Sequence, residues 1–517
     1  MGVVLKTEKR RIIPRWRSIE HASSTGELDT TSAIKNKVIF NSNSYLLEQR
    51  KAWTNNKTLS HAGDLLSSAF VLGLESEFKD AAKFILDNEL NVSSPLLRLA
   101  KKTLGIESNI EIPLNTDDFF ILDETLKYRQ DIRKYRHYLK LEPRNPIAWI
   151  ELGRLYSLLG NIGKGQTCID RALFLDNANR FIARSSSRFY QHFHGDKDIS
   201  IQIIKNAAGL TQDPWLLSAD IAYSSLLGRY SRMTKIGREF VKNYKKNFLA
   251  VTELNSALGS VDLGNGLVKD AKKYFKQSLI SPNDNSLAQM EWVSINGLNL
   301  PILDHNVPLA FEASAISYYE KKEFAKSFEC GIQWYYDEPY STGPILLTSY
   351  IAGTLFKNKT DALRIIKKGL KINPSNAALT NNLIYYLALD NQIEEAIQMF
   401  ERNKYNIEND TNKINVISST ATAGLLFYKI NRPLEGKKMY MRSIELAKDS
   451  KINYLVALAA LNYLLQEIKV EKNFEAMQKL IYEFEAFWKG ADEADIIMMK
   501  EELYSDLKKL QETSKEN

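Results

Sequence analysis

Residues 143–176 constrain this chain more tightly than any other stretch. Pro143, Asn145-Pro146, Trp149, Leu152-Gly153, Tyr156, Gly160, Ile169 and Ala172-Leu173 recur at helical spacing. A bulky residue, a Leu-small pair and an aromatic together make one apolar helical face. Gly160-Asn161 then marks a turn, a second helix with its own apolar face follows, and a new start comes 34 residues after the first. Two short helices cannot bury two apolar faces between them, so such a pair is stable only when stacked on neighbouring copies. The pattern predicts an all-α chain built as a solenoid.

Stacking also answers a problem of size. A chain of 517 residues exceeds the roughly 250–300 residues at which a single core stops growing, whereas a stacked repeat contacts only its neighbours. The 25 tyrosines and 22 phenylalanines suit a fold that needs an aromatic wedge between most helix pairs. Proline is scarce, with 13 in all, and no stretch alternates as a buried strand would.

The pattern resembles the tetratricopeptide repeat family. Its best unit is Pro146–Asn179, preceded in register by Tyr135, Tyr138-Leu139 and Pro143. Pro308–Glu338 carries Phe311, Ala315, Tyr318, Phe324, Ser327 and Gly331. Gly343–Asn376 carries Ala362, Ile366, Gly369-Leu370 and Pro374, and Ala377–Asp410 carries Leu383, Leu387, Asn391, Ala396 and Phe400. A further unit begins near Ile417 with Gly424, Phe427, Asn431, Gly436 and Tyr440. Looser copies cover 62–95, Arg180–Asp213, Pro214–Asn247 and 251–284. The resemblance implies a right-handed α-α superhelix of stacked helix-turn-helix repeats, whose concave face is normally a protein-binding surface.

The expected organisation is a basic arm and lead-in over 1–57, a first array over 58–296 with an irregular stretch near 105–118, a joint at 297–307, a second array over 308–446, and a helical cap with an acidic tail over 447–517. Charge is placed unevenly. Residues 1–18 hold Lys6, Lys9, Arg10, Arg11, Arg15 and Arg17 against Glu8, a net +5, while 491–517 hold eight acidic residues against four lysines. No 7–15-residue apolar core of a signal peptide opens the sequence, and Lys6 stands where a myristoylation signal takes Ser or Thr. The longest apolar run, Leu455–Leu465, is too short to cross a bilayer. A cytoplasmic protein without membrane contact is expected.

Three groups of residues are candidate contacts. Arg184 and Arg188 are four apart and share a helical face, and Arg154 occupies the position equivalent to Arg188 one repeat earlier. Three guanidiniums so placed suit a carboxylate or phosphate held by paired hydrogen bonds. The family also grips peptide carboxylates on this face with basic and Asn side chains, but the matching positions here are Ile150 and Glu151, so that clamp is not repeated. In the second array, Asn381, Asn382 and Tyr385 occupy the groove-facing helix, where carboxamides suit the backbone of an extended peptide. In the arm, Arg10, Arg11, Arg15, Trp16 and Arg17 combine cations with an aromatic, a common interface anchor; a partner protein, the solenoid's own acidic surface and nucleic-acid phosphate are the alternative docking sites.

Enzymatic signatures are missing. No GxxxxGK[ST], GxGxxG, HExxH or GxSxG occurs. His192 and His194 sit two apart beside the turn residues Gly195 and Asp196, so they do not share a helical face, and Cys168 and Cys330 have no CxxC partners. No cofactor, metal or catalytic group is expected. The sequence reads as a non-enzymatic scaffold or adaptor that holds a peptide segment or protein domain in its groove. The alternatives are a nucleic-acid-associated regulator using the basic arm, and a ligand sensor closing about the 297–307 joint.

Overall fold

The 34-residue period has a physical marker in the structure, the residue that starts each first helix. In a computed structural model, described for residues 10–24, 44–71, 75–92, 94–106, 124–243, 249–300, 307–408 and 410–516, Asn145, Asn179 and Asp213 stand 34 positions apart. Each is extended and turns its side-chain oxygen onto the free amides of the helix that follows. Asn145 accepts from Ala148 N, Asn179 from Phe181 N and Ile182 N, and Asp213 from Trp215 N and Leu216 N. Asn283, Asn376 and Asn412 do the same for later helices. The first amides of a helix have no internal partner, so these six caps fix where their helices begin, whereas the helices from Thr252 and Thr342 start without a side-chain cap.

The chain is all-α among the described residues, and its helices pack in consecutive pairs. Contacts divide it into two compact units, the first comprising Glu8–Glu320 with Ile332–Tyr340 and the second Lys321–Gly331 with Ser341–Asn517. The first unit includes the pairs Pro146–Leu158 with Ile162–Leu175, Arg180–Phe189 with Lys197–Asn206, Pro214–Leu226 with Met233–Asn243, and Thr252–Gly264 with Val268–Ser278, followed by Asp284–Val293 and Phe311–Glu320. The second includes Thr342–Tyr350 with Lys359–Ile372, Ala377–Leu389 with Ile393–Glu408, and Lys413–Lys429 with Pro433–Asp449. Helices Asn453–Val470, Phe474–Phe484 and Ala494–Glu516 complete it.

Within a pair the two helices meet at small residues. A Cβ on Gly153 would lie 3.2 Å from the Gly165 carbonyl oxygen, and one on Gly165 would lie 2.5 Å from Ser157 Oγ. The helices therefore cross backbone to backbone, and the room above the crossing is filled by Ile169 and Phe189, both fully buried. The turn between them needs one left-handed residue. Gly160 supplies it at φ 75°, and in later pairs Asn391 and Asn431 supply it at φ 60°, Asn being tolerated there.

Of the irregular stretch expected at 105–118, residues 107–118 lie outside the described residues. So do 301–306 of the expected joint and 1–9 and 25–43 of the expected lead-in, including Lys6 and Lys9. Among the described residues no helix is long and apolar enough to cross a membrane.

Candidate functional site

In the first unit the first helices of successive pairs pack on one another, and the polar side chains along that row are tied together. Arg184, 1% exposed, donates Nη1 to the Trp215 carbonyl and Nη2 to Glu253 Oε2, each at 3.0 Å. Its guanidinium also lies over the Trp215 ring at 4.9 Å, and that of Arg180 lies over the same ring at 5.3 Å. The other oxygen of Glu253 accepts from Asn283 Nδ2 at 3.0 Å and Asn285 Nδ2 at 3.1 Å. A network thus runs from the Arg180 helix through the Thr252 helix to the Asp284 helix.

The other two arginines of the predicted triad are placed separately. Arg154 pairs with Glu151 on its own helix, Nη2 to Oε1 at 2.5 Å. Arg188 donates to Gln191 and lies 5.3 Å over the Tyr340 ring. The structure therefore gives the three guanidiniums three different sets of internal partners. His192 packs edge-on against Phe193 and Tyr340, with ring centres 4.6 and 4.9 Å away.

The arm residues all lie against the first unit. Residues 10–18 carry no regular secondary structure, as Pro14 favours by holding the residue before it extended. Arg10 chelates Glu312, Nε to Oε1 at 2.9 Å and Nη2 to Oε2 at 3.0 Å. Arg15, 6% exposed, reaches Glu312 and Glu338 at 2.5 Å each and Asp284 at 2.7 Å. Arg17, 1% exposed, joins Asp284 at 2.6 Å to Asp337 at 2.7 Å. Arg11 donates to Ser225 Oγ at 2.9 Å. Trp16 is buried with its ring centre 5.6 Å from Phe189 and 5.8 Å from Tyr340.

Four carboxylates in this region face three guanidiniums. Burial alone would raise the Glu312 carboxyl, but Arg10 and Arg15 outweigh it and hold the group down at about 2. Glu338 is likewise lowered, by Arg15, Arg17 and Arg188 acting against its burial. These acceptors escape a sequence reading because each lies more than 260 positions from its cation. The available signal is the presence of Glu253, Asp284, Asn285 and Gln289 on otherwise apolar first helices.

The second unit holds a pocket of about 120 Å³. Asn381, Asn382 and Tyr385 of helix Ala377–Leu389 line it together with Tyr440, Asn462 and Asp495. Tyr385 donates to Asn462 Oδ1 at 3.3 Å, and burial holds the Tyr385 and Tyr440 phenols well above their ordinary range, so both remain neutral. Asn381 is 8% exposed, and its side-chain oxygen accepts no hydrogen bond from the described residues. Asn462 and Asp495 are additions that the repeat pattern does not mark. Among the described residues no three His, Cys, Asp or Glu side chains gather as metal ligands.

No protein-family model and no curated protein matches the chain. Solved structures do match. A chain of the APC/C hetero-tetramer Cut9–Hcn1 aligns at 13% identity and TM-score 0.34, over 89% of this chain and 92% of that one. The human IFIT1 dimer with m7Gppp-AAAA aligns at 12% identity and TM-score 0.32, over 82% of this chain and 95% of that one. The recurrence of cap, glycine crossing and left-handed turn within the chain itself makes each unit an all-α array of stacked helix-turn-helix pairs.

Proposed function

We propose that the chain is a non-enzymatic scaffold that binds an extended peptide segment of a partner protein, with the pocket around Asn381, Asn382 and Tyr385 as one contact. The observation that carries this reading is the Asn381 side-chain oxygen, buried beside the pocket with no donor from the described residues. A buried acceptor without a partner costs about 1–3 kcal/mol, which an incoming peptide N–H relieves. The pocket's volume fits one side chain or peptide unit and falls below the roughly 300–1,000 Å³ typical of small-molecule sites. The phenols and carboxamides in the lining offer hydrogen bonds to a peptide backbone, which suits binding.

Affinity capture from the host lysate tests the reading, with wild type set against Asn381→Leu and Tyr385→Phe chains of unchanged helix content. The expected result is a protein retained by wild type and recovered at least about tenfold less with Asn381→Leu, as one lost hydrogen bond of about 1.4 kcal/mol requires. Equal recovery by all three chains removes this pocket from the binding surface.

A further inference from the structure

The arm is held the way a groove holds a peptide. Side chains of the first unit hydrogen-bond its main chain at three evenly spaced points. Gln289 Nε2 donates to the Arg10 carbonyl at 3.4 Å, Asn285 Nδ2 to the Ile13 carbonyl at 3.1 Å, and the Trp16 amide donates to Tyr340 Oη at 3.1 Å. Such contacts recognise an extended backbone whatever its sequence. The arm's side chains enter separate subsites. Ile12 joins the apolar cluster of Leu217, Ile221, Leu254 and Leu258. Trp16 fills an aromatic box of Phe189, Phe193 and Tyr340. Arg10, Arg15 and Arg17 meet Asp284, Glu312, Asp337 and Glu338.

These subsites stand on scaffold rather than on the arm. Asn285 is held by Glu253, which Arg184 and Asn283 hold in turn, and Tyr340 donates to Glu338 at 3.2 Å. We propose that this face of the first unit is a binding groove for an extended protein segment carrying Arg-aromatic-Arg behind a pair of aliphatic residues. Residues 10–17 are its tethered occupant. A partner segment of the same chemistry enters by displacing them. The bidentate Arg10–Glu312 pair and the forked Arg15 and Arg17 contacts select arginine over lysine, because a planar guanidinium spans two carboxylate oxygens and an ammonium does not.

Tethering places the arm at an effective concentration of millimolar order, so an added segment competes poorly until the arm is weakened. The test uses a fluorescein-labelled peptide of residues 9–18 and the full chain, followed by anisotropy. Against Arg15→Ala/Arg17→Ala the peptide is expected to bind about 100-fold or more tightly than against wild type, the tethered competitor having been disabled. A peptide with its four arginines changed to lysine is expected to bind at least about tenfold more weakly. If the double variant loses its far-ultraviolet helix signal, the Arg10→Ala/Arg15→Lys chain, which keeps a cation beside Asp284 and Glu338, replaces it. A folded variant that binds the peptide no better than wild type overturns the proposal and leaves the arm a structural strap. Equal binding of the arginine and lysine peptides overturns the stated specificity. A gain in binding of a single-stranded oligonucleotide with none for the peptide also overturns the proposal, in favour of the arm itself as the reader of phosphates.

Discussion

Arg184 and Glu253 form a fully buried ion pair, Nη2 to Oε2 at 3.0 Å, between helices of different repeats. Removing one member of such a pair leaves a charge in a region of low polarity, which costs about 3–5 kcal/mol. Arg184→Ala is expected near the low end, because Asn283 and Asn285 still donate to Glu253. Replacing both, as in Arg184→Ala/Glu253→Leu, should recover most of the loss. Urea unfolding of the first unit measures both; a single-variant loss below about 1 kcal/mol, the value of an exposed pair, contradicts this account.

The repeating caps predict a matched set of smaller effects. Asn179→Ala and Asn376→Ala each remove a side-chain acceptor from a helix start and are expected to destabilise by about 1 kcal/mol. Each change should move the unfolding of its own unit. Thermal unfolding resolved into two transitions checks this, and a cap in the second unit that shifts both transitions equally speaks for a single cooperative block.

Acid should loosen the arm. Glu312 has its carboxyl lowered from 4.5 to about 2, so its contribution is complete above 4.5 and disappears as pH falls toward 2. The difference in stability between wild type and Glu312→Gln should be roughly 3 kcal/mol at neutral pH, at about 1.36 kcal/mol per unit, and should close across that window. A difference that stays constant from pH 6 to 2 means the carboxylate is not paired as described.

Neither cysteine should behave as a reactive thiol. Burial pushes Cys168 up to about 12, and burial with the nearby Glu329 charge pushes Cys330 up to about 11. The thiolate is the nucleophile, so iodoacetamide at pH 8 should modify both far more slowly than a free thiol, Cys330 being the faster. Rapid labelling of Cys168 in the folded chain contradicts its placement.

The fold was legible where the information is local. The spacing of Trp149, Leu152-Gly153, Tyr156 and Gly160 encodes a helix, its packing face and its exit turn within one repeat. Asn145 and Asn179 could be read as caps from position alone. The Asn381, Asn382 and Tyr385 cluster was legible for the same reason, since one helical face brings them together. Arg184 was visible as a polar residue on the inner row, but its partner Glu253 lies 69 positions away, and periodicity carries no information about which charges meet at that distance. The arm shows the same division. Its cations and Trp16 were plain, whereas Asp284, Glu312 and Glu338 are ordinary acidic residues until the repeats are stacked.

Stacked repeats are ordinarily held by their nearest neighbours in sequence. Here residues 10–17 are joined to acceptors up to 324 positions downstream. At about 5–20 residues per second, synthesis leaves Arg15, Trp16 and Arg17 without those acceptors for roughly 15–65 s. Docking them joins the start of the first unit to its end, so that unit is held by contacts between its sequence extremes as well as between neighbours.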